Sequence, residues 1–178
     1  IIDFIELIND QPQVKYNIQI FGLGYVGITL AVSLAGKGNN VKGIDINENL
    51  INQLNKGKPH VFEPGLSDLL ISSIKSGNIS FSTSNTNNKS EIYIIAVGTP
   101  LNKFDKPELK ALKNATNAIG KHLKNGDLVM LRSTVPPGTT REVVIPILEE
   151  LSNLKAGKDF YIAFAPERTI EGNAMKEL

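Results

Sequence analysis

Asn17-Ile18-Gln19-Ile20-Phe21-Gly22-Leu23-Gly24-Tyr25-Val26-Gly27 decides how the rest of the chain is read. A β-type run breaks into glycines spaced G-x-G-x-x-G, and Val26, Leu30, Val32 and Leu34 follow at helical spacing. A strand that turns through glycine straight into a helix has a use for each of the three. Gly22 makes the tight turn, Gly24 lets backbone approach a pyrophosphate, and Gly27 lets the helix pack close to the strand. The helix N-terminus adds free N–H groups and a partial positive charge. Glycines also serve ordinary turns, so the spacing alone is a weak signal. Asp45 strengthens it, because it ends the next β-type run, 41–45, where an acid hydrogen-bonds the ribose hydroxyls of a dinucleotide. The same acid repels a 2′-phosphate, and Ile46 and Asn47 bring no cation to rescue one, so NAD is favoured over NADP.

Working outward, the pattern alternates. Asn47 can cap a helix through Leu54, and 64–74 reads as a helix closed by Gly77. A short strand over 79–81 precedes a polar loop over 82–89. Residues 92–97 are continuously apolar, as in a parallel strand covered on both faces. Helical pattern over 107–123, a strand over 128–131, helical pattern over 139–151 and a strand over 160–164 complete the series. Strands alternating with helices imply a parallel sheet. The expected fold is therefore α/β: a single domain, 17–178, with a Rossmann-type doubly wound parallel sheet, preceded by a lead-in helix over 1–16. The first residue is Ile1 rather than methionine, and the sequence stops at Leu178 in what reads as the first turns of a helix. We expect a piece of a longer protein.

Composition narrows the classes. The 178 residues carry a net charge of +1 and no evident basic face, so nucleic acid has no electrostatic case as a partner. No apolar run reaches the roughly 18 residues that a membrane-spanning helix needs. The opening Ile1-Ile2-Asp3-Phe4-Ile5-Glu6 has acids inside its apolar run and no basic lead-in, so it does not read as a signal peptide, and a cytoplasmic location is expected. There is no cysteine, which removes disulfides, thiolate metal sites and cysteine nucleophiles from these residues. His60 and His122 stand alone and imply no metal.

Four further segments carry a resemblance: Glu63-Pro64-Gly65-Leu66, Val97-Gly98-Thr99-Pro100, Ser133-Thr134-Val135-Pro136-Pro137-Gly138-Thr139-Thr140, and Ala165-Pro166-Glu167-Arg168-Thr169-Ile170-Glu171-Gly172-Asn173-Ala174. From about Ile18 to its end the chain resembles the UDP-glucose/GDP-mannose dehydrogenase family, whose members oxidise nucleotide sugars. The residues agree with it. Thr99, Ser133, Thr134, Glu167 and Glu171 all follow predicted strands, and open α/β sheets bind ligands at the carboxyl ends of strands. Hydroxyls there can bond ribose, the nicotinamide amide or a catalytic water, and a carboxylate can act as general base. A structural reading competes. Thr99 and Thr134 stand beside Pro100 and Pro136, where turn chemistry would occupy them, and Arg168 could neutralise Glu167 in a surface pair.

The resemblance implies that Gly22, Gly24, Tyr25, Val26, Gly27 and Asp45 bind the cofactor and that Val97, Thr99, Ser133 and Thr134 line its nicotinamide half. It implies catalytic roles for Glu167, Thr134 and Glu171: Glu167 in hydrolysing a covalent intermediate, Glu171 as an acid between sugar and cofactor. Leu50 stands where the family often has an arginine. The reaction it implies is oxidation of a UDP-sugar C6 alcohol to the uronate with two NAD, for polysaccharide precursors, in a homodimer or larger assembly. The family holds the aldehyde on a cysteine, helped by a lysine and an asparagine, all beyond the last motif here. Pro166-Glu167-Arg168 looks more like the subgroup acting on UDP-N-acetyl-D-mannosamine, since UDP-glucose 6-dehydrogenases more often carry an aromatic after this Glu. A β-hydroxyacid dehydrogenase shares the early pattern but lacks a match to Thr99-Pro100 with Ser133-Thr134-Val135-Pro136. A non-enzymatic NAD-binding module would need no cysteine, but would have no use for the Glu167 segment.

Overall fold

The computed structural model describes residues 14–84, 90–167, 172 and 174–177. Strand β1 (Asn17–Phe21) passes through the glycine turn into helix α1 (Tyr25–Gly36), and the chain returns as β2 (Asn40–Ile44). Helices α2 (Glu48–Leu54) and α3 (Leu66–Lys75) lead to β3 (Ile79–Ser82). The second half runs β4 (Ile92–Ile95), α4 (Lys110–Gly120), β5 (Leu128–Leu131), α5 (Ile145–Ser152), β6 (Tyr161–Phe164) and a last turn, α6 (Ala174–Glu177). The strands lie in the order β3-β2-β1-β4-β5-β6, and every neighbouring pair is parallel. This is the expected doubly wound α/β sheet. The order reverses between β1 and β4, which opens a crevice at their carboxyl ends.

Period-2 alternation distributes the core. Ile18, Ile20, Ile92, Ile94 and Met130 pack with α1 and α3 on one face, while Phe21, Tyr93, Ile95, Val129 and Leu131 pack with α4 and α5 on the other. Helix α1 is buried without a break from Gly27 to Ala35, as expected of a helix that is apolar all round. It touches α3 closely enough that a Cβ on Gly36 would sit 2.8 Å from Leu69.

Three expectations change. The strand expected over 92–97 stops at Ile95, whose carbonyl takes the amides of both Arg132 and Ser133 and so ends the ladder. The helix expected over 107–123 begins only at Lys110, because Pro107 is held in an antiparallel bridge with Leu101. The helix expected over 139–151 opens as a π-helix, Thr140–Val144, in which Ile145 N–H donates to the Thr140 carbonyl five residues back. Pro146 accounts for this. It has no N–H, and its ring crowds the carbonyl four residues before it, so the preceding turn widens. Residues 14–16 are irregular, and the rest of the proposed lead-in helix lies outside the described residues, as do 85–89 of the expected loop.

Candidate active site

The glycine turn sits at the crevice. Gly22 has φ 89°, a left-handed conformation, and a Cβ on it would lie 2.7 Å from the Ala96 carbonyl oxygen and from Val97 Cα. A Cβ on Gly27 would lie 1.9 Å from the Gly22 carbonyl oxygen, so this glycine lets the helix approach the turn itself. Gly24 differs from both: its φ is −63°, and a Cβ there would meet nothing within 4 Å. Its open side faces the cleft. No side chain caps α1 at Gly24, and its first turn holds no acid, so the positive end of the helix is left for a ligand.

Asp45 follows β2 directly and ties this turn to the next helix. Oδ2 accepts from Leu23 N–H at 2.8 Å and Oδ1 from Asn47 N–H at 2.9 Å, while the Asn47 side chain caps α2 through Leu50 N–H. An ionised carboxylate has about four lone-pair sites, so two bonds leave capacity for ribose hydroxyls. Burial of the nearby His60 pushes its imidazole below the usual histidine range, against the opposing charge of Asp45.

The loops after β4 and β5 are stitched together. Ser133 Oγ donates to the Val97 carbonyl at 2.7 Å, and Thr99 Oγ1 donates to the Thr134 carbonyl at 2.5 Å. The protons of these two hydroxyls join the loops after β4 and β5, so only their lone pairs remain for a ligand. The Thr134 hydroxyl has no hydrogen bond among the described residues and is exposed. Glu167, 12% exposed, pairs with Arg132 at 2.5 Å. Arg132 was not among the residues the sequence singled out. It directly follows the buried strand β5, the same position relative to a strand that drew attention to Thr99 and Glu167. Arg168, the partner that the competing structural reading offered Glu167, lies outside the described residues, as does Glu171.

Gly22, Gly24, Tyr25, Val26, Asp45, Val97, Thr99, Ser133, Thr134 and Glu167 line one cleft of about 980 Å³. Gly27 lies behind the turn, and the Tyr25 hydroxyl is turned to Glu63. Sequence reasoning missed a further wall of this cleft. Lys110, Ala111, Asn114 and Ala118 of α4 face it at helical spacing, a signal legible only once α4 is known to pack beside the crevice.

A parallel doubly wound sheet with a glycine turn at its reversal point, an uncapped helix end and a ribose-side acid defines a dinucleotide-binding domain. Comparison with known proteins narrows it. The NAD binding domain of the UDP-glucose/GDP-mannose dehydrogenase family matches residues 16–178. The GDP-mannose 6-dehydrogenase of Azotobacter vinelandii is 41% identical over 165 residues, covering 90% of this chain and 38% of that protein. The UDP-N-acetyl-D-mannosamine dehydrogenase of Pyrococcus horikoshii is 38% identical over 162 residues, with the same coverage of 90% and 38%. The solved structure of UDP-D-ManNAc dehydrogenase from Pyrococcus horikoshii superimposes with a TM-score of 0.86 at 36% identity, over 90% of this chain and 38% of that one. This chain belongs to the UDP-glucose/GDP-mannose dehydrogenase family, as its NAD-binding domain, and NAD is its cofactor. It spans 38% of the length of these relatives. Among the described residues no helix is long and apolar enough to cross a membrane.

Proposed function

We propose that this domain carries NAD across the β1/β4 crevice and presents it to a nucleotide sugar whose C6 alcohol is oxidised to the carboxylate with two NAD. One observation carries the reading: Gly24, open on its Cβ side at the uncapped end of a buried helix, shares a cleft with Glu167. The residues present suit the cofactor. The α1 amides receive the pyrophosphate, Asp45 receives the adenosine ribose, and the strand-end loops bearing Val97, Thr99, Ser133 and Thr134 receive the nicotinamide half. Bound there, NAD supplies the hydride acceptor. Thr134 offers an unoccupied hydroxyl to water or substrate, and Glu167 accepts the proton of the water that hydrolyses the covalent intermediate. Glu171 is proposed as a second acid on the substrate side. The thiol that holds the aldehyde would come from outside these 178 residues, which contain no cysteine.

For the sugar, the Pro166-Glu167-Arg168 triplet supports UDP-N-acetyl-D-mannosamine. GDP-mannose is the second reading, favoured by the 41% identity to the Azotobacter enzyme. Offering both to a full-length protein built on this domain and comparing kcat/KM decides between them. The reading also takes the reaction to be cytoplasmic, in polysaccharide precursor synthesis, and the full enzyme to be a homodimer or larger.

Isothermal titration should show NAD binding the chain far more tightly than NADP. Asp45→Ala should weaken NAD and narrow that gap. Loss of a hydrogen bond to a charged group costs about 1.5–3 kcal/mol, or roughly one to two powers of ten in affinity. Equal affinities of the unaltered chain for both dinucleotides would remove the role given to Asp45. The 178 residues expressed alone should bind NAD yet release no uronate, because nothing in them can hold the aldehyde between the two oxidations. Steady uronate production by these residues would overturn the proposed cysteine mechanism.

A further inference from the structure

Glu63 opens the segment Glu63-Pro64-Gly65-Leu66, and no step of the proposed reaction uses it. It is nevertheless 4% exposed, a carboxylate sunk between α1 and the returning end of the chain. The Tyr25 hydroxyl, on the first residue of α1, donates to its Oε1. Gly172 N–H donates to the same oxygen at 2.5 Å and lies 3.2 Å from the Tyr25 hydroxyl. Oε2 is buried and has no hydrogen bond within normal limits. The Tyr25 hydroxyl, then the Gly172, Ala174 and Met175 amides, hold the carboxyl below the usual range despite its burial. Neither ion pair found among the described residues involves Glu63. Among the described residues its charge is met by hydrogen-bond dipoles.

Burying a charge is costly unless hydrogen bonds compensate it. A side chain that only filled space here could be apolar. A carboxylate instead collects donors, and these come from residue 25, at the glycine turn, and from the backbone that follows Glu167. Ala174 is fully buried and Met175 packs on the α1–α3 core, so the same backbone is also anchored by apolar contact. We propose that Glu63 is a positioning residue that locks the first turn of α1 to the backbone at Gly172, Ala174 and Met175, so that the cofactor turn and these residues move as one unit. The functional weight of this link rests on the site proposed above, but the link can be tested without it.

The test is hydrogen–deuterium exchange on the 178-residue chain, on Glu63→Gln and on Tyr25→Phe, each with and without saturating NAD. Glutamine keeps the shape of Glu63 but removes its charge and turns an NH₂ toward donors. Amides of Gly172, Ala174 and Met175 should exchange at least about ten-fold faster in Glu63→Gln, while amides of β1, β4 and β5 keep their protection, which reports an intact fold. Tyr25→Phe should raise exchange at the same three amides by a smaller factor, although Tyr25 and Gly172 are 147 residues apart. If Glu63→Gln does not fold, this variant carries the test alone. In the unaltered chain NAD should slow exchange at 172–175, and in Glu63→Gln it should not; a purely structural role for Glu63 would leave that NAD effect in place. Unchanged exchange at 172–175 in both variants overturns the proposal, as does equal NAD protection in the unaltered chain and Glu63→Gln. If NAD failed to bind the unaltered chain, the site assignment would fall, and exchange without NAD would still decide the link.

Discussion

Gly24→Val should abolish NAD binding by the 178-residue chain while leaving its thermal unfolding close to that of the unaltered protein. Two observations set this apart from an ordinary glycine substitution. The backbone at Gly24 has φ −63° and ψ −166°, an extended conformation open to any residue, and a Cβ there has no neighbour within 4 Å. The folded state therefore accepts the side chain. Restricting the unfolded chain offsets any small cost, since replacing glycine at a compatible position is worth about 0.4–1 kcal/mol in favour of folding. The space that the valine methyls fill is the cleft in front of the α1 amides, where the pyrophosphate is proposed to sit. Gly27→Val is the informative contrast. Its Cβ would stand 1.9 Å from the Gly22 carbonyl oxygen, so this variant should lose the turn and much of the fold with it. Titration calorimetry with circular dichroism on the two proteins separates the outcomes. Wild-type NAD affinity in a folded Gly24→Val protein would place the cofactor elsewhere.

The second large effect is expected at Glu167. In a full-length protein built on this domain, Glu167→Gln should slow hydrolysis of the covalent intermediate far more than the first hydride transfer. Glutamine cannot take a proton from water, and a positioned general base contributes about 10²–10⁴ in rate. The thioester should then accumulate and appear in intact-protein mass spectra. The structure adds a second consequence, because Arg132 would lose its counter-charge at a site where both side chains are largely buried. Some loss of stability should therefore accompany the loss of turnover, and single-turnover kinetics separates the two. Unchanged hydrolysis in a stable variant would reduce Glu167 to the structural partner of Arg132.

Much of this was legible in the residues themselves. The continuously apolar run over 92–97 announced a strand covered on both faces, which forms over Ile92–Ile95, and the glycine spacing after β1 located the turn. Asn47 signalled the start of α2, which its side chain does cap. These features depend on residues a few positions apart, so periodicity and local hydrogen bonding suffice to read them. The rule that ligands sit at the carboxyl ends of strands then selected Thr99, Ser133, Thr134, Glu167 and Glu171; the first four line the cleft, and Glu171 lies outside the described residues.

What the tertiary structure alone decided is which of these groups meet. Arg132 and Glu167, 35 residues apart, pair because β5 and β6 are neighbours in the sheet. Thr99 reaches the Thr134 carbonyl because β4 lies beside β5, and that contact takes up the hydroxyl proton that the motif by itself leaves available to a ligand. Glu63 gathers Tyr25 and Gly172 across 38 and 109 residues, a junction no periodicity marks. Local sequence sets each element and what stands at its end. Strand order and the packing of helices over the sheet set the partners, because those depend on burial shared among segments far apart in the chain, and a hydrogen bond or ion pair exists only after that packing has brought its two ends within reach.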